Sequence, residues 1–230
     1  MPENRFYLDA DLEHEIELSG EELRHLQVMR RKVGDPIELV NGRGYLAHGT
    51  ITQLNKRSAM IQIDTCDQEP EKGRKIVLIQ ALTRPHSLEY IIEKGTELGV
   101  SEFWLFPAVL SEKKALTPSQ ELRLKNLTIS ALKQCGRLYL PAIHMKPSLE
   151  KWKPFSGQKF FGDLRPEAPL FSTCSLEKTV YFFIGPEKGF AAAEVGFLEQ
   201  ALGAQGVKLH DNILRVDTAA LVSIFATYLL

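Results

Sequence analysis

The stretch FFIGPEKGFAAAEV, residues 182–195, passes from an apolar run through two glycines and a proline into a segment that reads as helix. Glycines at such a junction let backbone N–H groups approach an anion at the helix N-terminus, as phosphate-binding loops do. The details differ here. GPEKGF has neither the lysine followed by Ser or Thr of the P-loop nor the three glycines of the dinucleotide fingerprint, and the Glu187 carboxylate stands where it would repel a phosphate. The loop is expected either to hold something other than a bare polyphosphate or to be an ordinary strand-to-helix turn.

Other reactive residue types are scattered. The six histidines show no HExxH-like spacing, and His210 is singled out only because it precedes the loop residues around Ile213. Cys66, Cys135 and Cys174 are odd in number and far apart, so they read as packed thiols and not as a disulfide framework or a zinc site; no metal is expected. Phe160, Phe161, Phe182 and Phe183 fall inside apolar strands and read as sheet core more than as a base-stacking platform. Lys94 and Glu97 are one helical turn apart, equally consistent with a surface pair and with a site. Charge is uneven: residues 72–160 hold 15 Lys and Arg against 7 Asp and Glu, a net of +8 in a chain of formal net charge −1. Such a segment is either a polyanion-binding face or a solvated surface.

These residues need elements to position them. Up to about residue 72 the chain alternates apolar and polar in short runs, RFYLD, HEIEL, DPIELVNGRGYLAHGTI and SAMIQIDT, with one helical insert, EELRHLQVMRR. This predicts a small β-barrel in which Leu23, Leu26 and Val28 or Met29 of the insert face inward, while Arg24, His25, Arg30, Arg31 and Lys32 face elsewhere. QEPEKGRK, residues 68–75, reads as a linker between a domain of residues 1–71 and one of 72–230. The second domain alternates strands (KIVLIQAL, EFWLFPAV, QKFFGDL, TVYFFIG, GVKLHDN) with helices (HSLEYIIEKGTELG, SQELRLKNLTISALKQCG, AAAEVGFLEQALG, DTAALVSIFATYLL). In the long helix Leu122, Leu124, Leu127, Ile129 and Leu132 are expected to supply the buried side. The pattern predicts an α/β domain with a mostly parallel sheet, whose ligand site lies beyond the carboxyl ends of the strands, where the turn after Ile184 would sit.

Composition sets the class. The hydrophobic content of 44% supports a substantial core, no apolar run approaches a membrane span, and the polar, acidic opening MPENRFYLDADLE is unlike a signal peptide. A cytoplasmic protein with no membrane partner is the expectation.

The order of barrel, then α/β domain, together with TELGVSEFWLFPA, LKQCGRLYLPAI, FFIGPEKGF and ILRVDTAAL, resembles the RsmE family across nearly the whole chain. These are SPOUT-class methyltransferases that modify N3 of a uridine in 16S ribosomal RNA. The resemblance implies a PUA-like N-terminal RNA-binding domain, a C-terminal domain tied in a deep trefoil knot, S-adenosylmethionine as donor, and a homodimer acting on 16S RNA or the small ribosomal subunit. It also implies cofactor contacts at Ile184, Gly185, Pro186, Glu187 and Gly189 in one loop, and at Leu209, Ile213, Leu214, Thr218 and Ala219 in a second wall. Arg215 and Arg137 are the candidate cations for the reacting base, and Arg30, Arg31, Arg84, Lys94 and Arg137 the candidate RNA contacts. Asp217 and Thr218 are expected to cap the last helix.

Three departures bear on the site: Lys188 in place of a glycine, HDN at residues 210–212 in place of a glycine-containing turn, and RVDT in place of RTET at 215–218. Lys188 raises the question of whether the loop demands a backbone angle that only glycine adopts freely. A non-catalytic ribosome-associated RNA-binding module is the competing reading. A nucleotide-dependent oxidoreductase is weakened by the absence of GxGxxG.

Overall fold

Period-two alternation leaves each N-terminal strand one apolar face, and the chain buries those faces against each other. The computed structural model describes residues 4–230; Met1, Pro2 and Glu3, the first residues of the polar, acidic opening read above, lie outside the described residues. Strands β1 (Arg5–Tyr7), β2 (Glu15–Leu18), β3 (Pro36–Val40), β4 (Tyr45–Leu54) and β5 (Ala59–Gln68) form one sheet in the order β1-β3-β4-β5-β2, parallel between β1 and β3 and antiparallel elsewhere. Phe6, Leu18, Leu39, Ile51 and Ile61, from five strands, meet Leu23 and Leu26 of helix α1 (Gly20–Val28) in a single cluster, so the sheet curls around one core. The inward neighbour of Leu26 is Met29; Val28 is exposed.

Past residue 72 the central strands become continuous apolar runs because they are covered on both faces. Strands β6 (Lys75–Ala81), β7 (Glu102–Phe106), β8 (Ala142–Met145), β9 (Gln158–Gly162), β10 (Thr179–Ile184) and β11 (Gln205–Val207) form an all-parallel sheet in the order β11-β9-β10-β6-β7-β8. The helices are α2 (Pro85–Glu97), α3 (Pro118–Cys135), α4 (Ala192–Gln200) and α5 (Val216–Leu229). Neighbouring strand residues point to opposite layers: Phe160 and Phe182 join the core under α2, α3 and α5, while Phe161 and Phe183 join Leu198 of α4 in the other. All four phenylalanines are therefore core, as their strand setting predicts.

The chain divides into two compact units, residues 1–72 with 129–140, and residues 73–128 with 141–230. Three expectations are corrected. Leu122 is 59% exposed, because α3 turns Leu124, Thr128, Ala131 and Leu132 inward instead. Two of the cysteines are not packed thiols: Cys66 on β5 and Cys135 on the last turn of α3 are exposed, whereas Cys174, half-buried in a loop, packs against the core as expected. Helix α5 has Arg215, not Asp217, at its N-cap; Asp217 sits inside the first turn, where its Oδ1 accepts the Thr218 N–H at 2.9 Å and its carboxylate meets the positive end of the helix.

Candidate functional site

Strand β10 lies between β9 and β6, so the chain reverses its direction of progress across the sheet there, and loops part above the carboxyl ends of the strands. A cleft of about 1150 Å³ opens at that point. Its walls come from the ends of β9, β10 and β11, from the start of α2, and from the segment entering α5.

The loop after β10 forms the first wall. Pro186 O accepts the Gly189 N–H at 2.8 Å, closing a tight turn over Glu187 and Lys188. The left-handed residue of that turn is Gly189, at φ +74°, and among the described residues the only non-glycine in that region is Arg30. Lys188 thus occupies its position without backbone strain, which answers the question its presence raised. Gly185 is needed for another reason: a Cβ there would stand 3.1–3.3 Å from the backbone of Gly189 and Phe190 across the loop. The Glu187 carboxylate is engaged within the protein: its Oε1 accepts the backbone N–H of Arg84 at the head of α2 at 3.0 Å. Beneath the loop, Gln80 is fully buried and its Nε2 donates to Ala81 O at 2.9 Å, with a longer contact to Gly185 O at 3.4 Å.

The second wall is the segment from Val207 to Val216. Leu209 and Leu214 are half-buried there and Ile213 is 79% exposed, an unusual setting for isoleucine that leaves apolar surface facing the cleft. His210 Nδ1 accepts the Asn212 N–H at 2.9 Å, so the HDN turn supplies through a side chain the closure that a glycine-containing turn makes with backbone. Arg215 lines the cleft with its side chain 82% exposed and only a 3.5 Å contact to Asp217.

The structure brings Ile184, Gly185, Pro186, Glu187, Gly189, Leu209, Ile213, Leu214, Ala219, Arg215 and Arg84 to this one cleft, and Thr218 is not among the residues lining it. Lys94 lies on α2 with its ammonium donating to Glu93 and Glu97 at 2.8 Å each, which holds it charged well above its ordinary range. Arg137 belongs to the first compact unit, where its guanidinium is largely buried and pairs with Glu71 at 3.2 Å. Arg31 contacts Asn4, and Arg30 is exposed.

Residues 72–160 are less available as a polyanion face than their net charge suggests. Lys75, Arg84, Lys94, Arg123, Lys133 and Arg137 are all ion-paired, and Lys114 and Arg74 donate to backbone carbonyls.

Sequence reasoning missed Asp163 and Arg165 in the wall at the end of β9. Burial alone would raise the Asp163 carboxyl, but the Arg165 guanidinium and backbone N–H outweigh it and hold the carboxyl below its ordinary value. Arg165 also reaches Glu199 of α4. The only available signal was a charged pair, DLR, directly after an apolar strand.

Comparison with known proteins bears on this site. A family model described as an RNA methyltransferase domain matches residues 70–227, and one described as an RNA methyltransferase PUA domain matches residues 18–64. The chain is similar to a Buchnera aphidicola protein named ribosomal RNA small subunit methyltransferase E, 27% identical over 96% of this chain and 91% of that one. A Bacillus subtilis protein of the same name is 26% identical over 91% and 88% of the two chains. Among solved structures, a ribosomal RNA small subunit methyltransferase E from Neisseria gonorrhoeae bound to S-adenosyl methionine has a TM-score of 0.86 at 28% identity, covering 98% of this chain and 96% of that one.

Proposed function

This chain belongs to the RNA methyltransferase family, and on that premise we propose that it transfers a methyl group from S-adenosylmethionine to N3 of a uridine in 16S ribosomal RNA. The observation that carries the reading is the cleft, whose recognition surface is mostly backbone and apolar side chain. The residues fit the donor. Gly185 and the carbonyl of Gly189, whose N–H is already closed on Pro186 O, bring backbone groups to the surface that an adenine edge or a ribose would pair with, and Leu209, Ile213 and Leu214 offer apolar atoms to the ring. Pro186 stiffens the turn, and Ile184 and Ala219 add further apolar lining.

S-adenosylmethionine supplies an activated methyl group on a sulfonium, so the protein's task is alignment and exclusion of water. The uridine N3 proton must also be lost, and the base must first be drawn out of its pairing. A cation beside the developing anion favours that loss, and Arg215, exposed on the cleft wall, is the residue we assign to it. We read Arg84 as a phosphate contact, since its side chain is 67% exposed at the rim and its pair with Glu112 is itself exposed and open to exchange for a phosphate, and Arg30 as another on the PUA-like unit. We propose that the loop after β10 and the segment entering α5, which both line the cleft, belong to a deep trefoil knot. We also propose a homodimer working in the cytoplasm on the assembled small subunit, where a two-domain protein can read the shape of a folded particle. Among the described residues, no helix is long and apolar enough to cross a membrane.

Labelled S-adenosylmethionine incubated with small ribosomal subunits lacking the modification should yield N3-methyluridine. Label on carbon 5 or on a ribose hydroxyl would refute the assigned atom. No label on any ribosomal RNA, with the donor still bound, would favour the non-catalytic RNA-binding reading.

A second expectation concerns affinity. Replacing Arg84 with alanine should flatten the dependence of log K on log salt by roughly 0.7–0.9, the value of one phosphate contact, while S-adenosylmethionine affinity stays nearly constant. The cofactor loop is held by the backbone N–H of Arg84, which the substitution leaves in place. An unchanged salt slope would remove Arg84 from the RNA interface.

A further inference from the structure

Glu194, on the first turn of α4, is only 6% exposed, and its two carboxylate oxygens face two different loops. Oε2 accepts the Ala191 N–H at 2.9 Å, at the end of the loop that forms the first cleft wall. Oε1 accepts the Val109 N–H at 2.9 Å, in the loop that follows β7. A carboxylate removed from water is tolerated only when such donors satisfy it, and the positive end of α4 adds to their effect. Ala191 has no side-chain acceptor of its own, so Glu194 alone supplies the side-chain hydrogen bond at this helix start.

The partner loop is closed on itself as well. Ser111, 5% exposed, accepts the Ala108 N–H through Oγ at 3.2 Å, and its own N–H returns to Ala108 O at 3.2 Å. Lys114 Nζ donates to the carbonyls of Ala108 and Val109 at 2.6 and 2.8 Å. One residue beyond Ser111, Glu112 pairs with Arg84 at the cleft rim. Yet this heavily bonded loop carries Val109 and Leu110 at 58% and 38% exposure. Ala108, 1% exposed, joins the core beside Leu198 of α4, but core packing does not explain the bonds made at Val109, Ser111 and Lys114. No residue of 107–114 lines the cleft itself; the loop bears on it through the Glu112–Arg84 pair, and holding that pair in place does explain the bonding.

We infer that Glu194 is a positioning residue for methyl transfer, tying the donor-side loop at residues 185–191 to the rim loop at residues 107–114. The inference rests on the methyltransferase reading above. Glutamate is the residue type this role demands, because both of its oxygens accept. Glutamine at this site would keep one acceptor and turn an NH2 group toward the other N–H, releasing one of the two loops.

The test compares wild type, Glu194→Gln and Lys114→Met, the last loosening the same rim loop without touching the carboxylate. Three quantities are measured: S-adenosylmethionine affinity by calorimetry, single-turnover methylation of small subunits at saturating donor and RNA, and amide exchange at Val109. Both variants should remain folded by circular dichroism, bind the donor within about threefold of wild type, exchange Val109 faster, and lose about tenfold or more in the single-turnover rate, as misaligned reactants do. A merely structural role would lower the melting temperature and leave the saturated rate of the folded protein unchanged, and that result would overturn the inference. So would a rate loss that disappears when the donor concentration is raised. A wild-type protein that methylates no ribosomal RNA would refute the methyltransferase reading and this inference together. An active wild type matched by both variants refutes only the inference.

Discussion

Replacing Gly185 with valine is expected to weaken S-adenosylmethionine binding by about 100-fold or more while leaving the protein folded. The reason is the narrowness of the turn. A Cβ at residue 185 would already meet Gly189 and Phe190 backbone at 3.1–3.3 Å, tighter than nine in ten real Cβ contacts, and valine adds two γ-carbons that its stiff χ1 cannot swing clear. The opposing atoms are backbone, so relief requires opening the loop, and overpacking of this kind costs about 1–3 kcal/mol. Opening it also displaces the N–H and C=O groups proposed to pair with the donor, and about 2.7 kcal/mol corresponds to 100-fold in affinity. Calorimetry on the purified variant decides the matter, with Lys188→Gly as the control. Lys188 lies outside the left-handed region, so that change should leave affinity within a few-fold of wild type. Full affinity in Gly185→Val would move the donor site elsewhere.

Much of this cleft was legible because its residues are adjacent in the chain. An apolar strand ending at Ile184, two glycines and a helix start are local signals, and they placed the loop correctly with its position at the strand ends. The paired phenylalanines of β9 and β10 were equally readable, since adjacent bulky residues in a strand covered on both faces must enter opposite layers. What stayed hidden depends on partners distant in sequence. Arg137 reads as an exposed basic residue in a GR dipeptide until Glu71, 66 positions away, is seen beside it. Val109 and Glu194 are 85 positions apart, and nothing in either segment announces the other. Strand β8 went unread for a different reason: AIHM is a four-residue edge strand with three exposed positions, too short to establish a period. The long helix α3 misled at Leu122 because its apolar positions outnumber those its core can receive.

The largest expected change in assembly comes from Phe225→Glu, which should convert the proposed homodimer to a monomer. Helix α5 has two distinct sides. Ala220 and Ile224 are 0% and 1% exposed against the sheet, and Arg74 fixes the far end by donating to Thr227 O at 2.6 Å. On the other side Phe225, Tyr228 and Leu229 are 50%, 65% and 64% exposed, a concentration of large apolar surface on one helix that isolated surface residues do not produce. A two-fold axis beside α5 would cover this side with its own copy, and every substitution would then count twice, once in each protomer. Truncating or charging a central aromatic typically costs about 2 kcal/mol or more, so two copies give about 4 kcal/mol, close to 1000-fold in the dimer dissociation constant. Sedimentation velocity at micromolar concentration should therefore show a dimer for wild type and a monomer for Phe225→Glu. The first turn of the same helix places Val216 and Ala219 on the cleft, so the monomer should also bind S-adenosylmethionine more weakly, through loss of support for that wall. A wild-type monomer at that concentration, or a variant that sediments as a dimer, would rule out α5 as the interface.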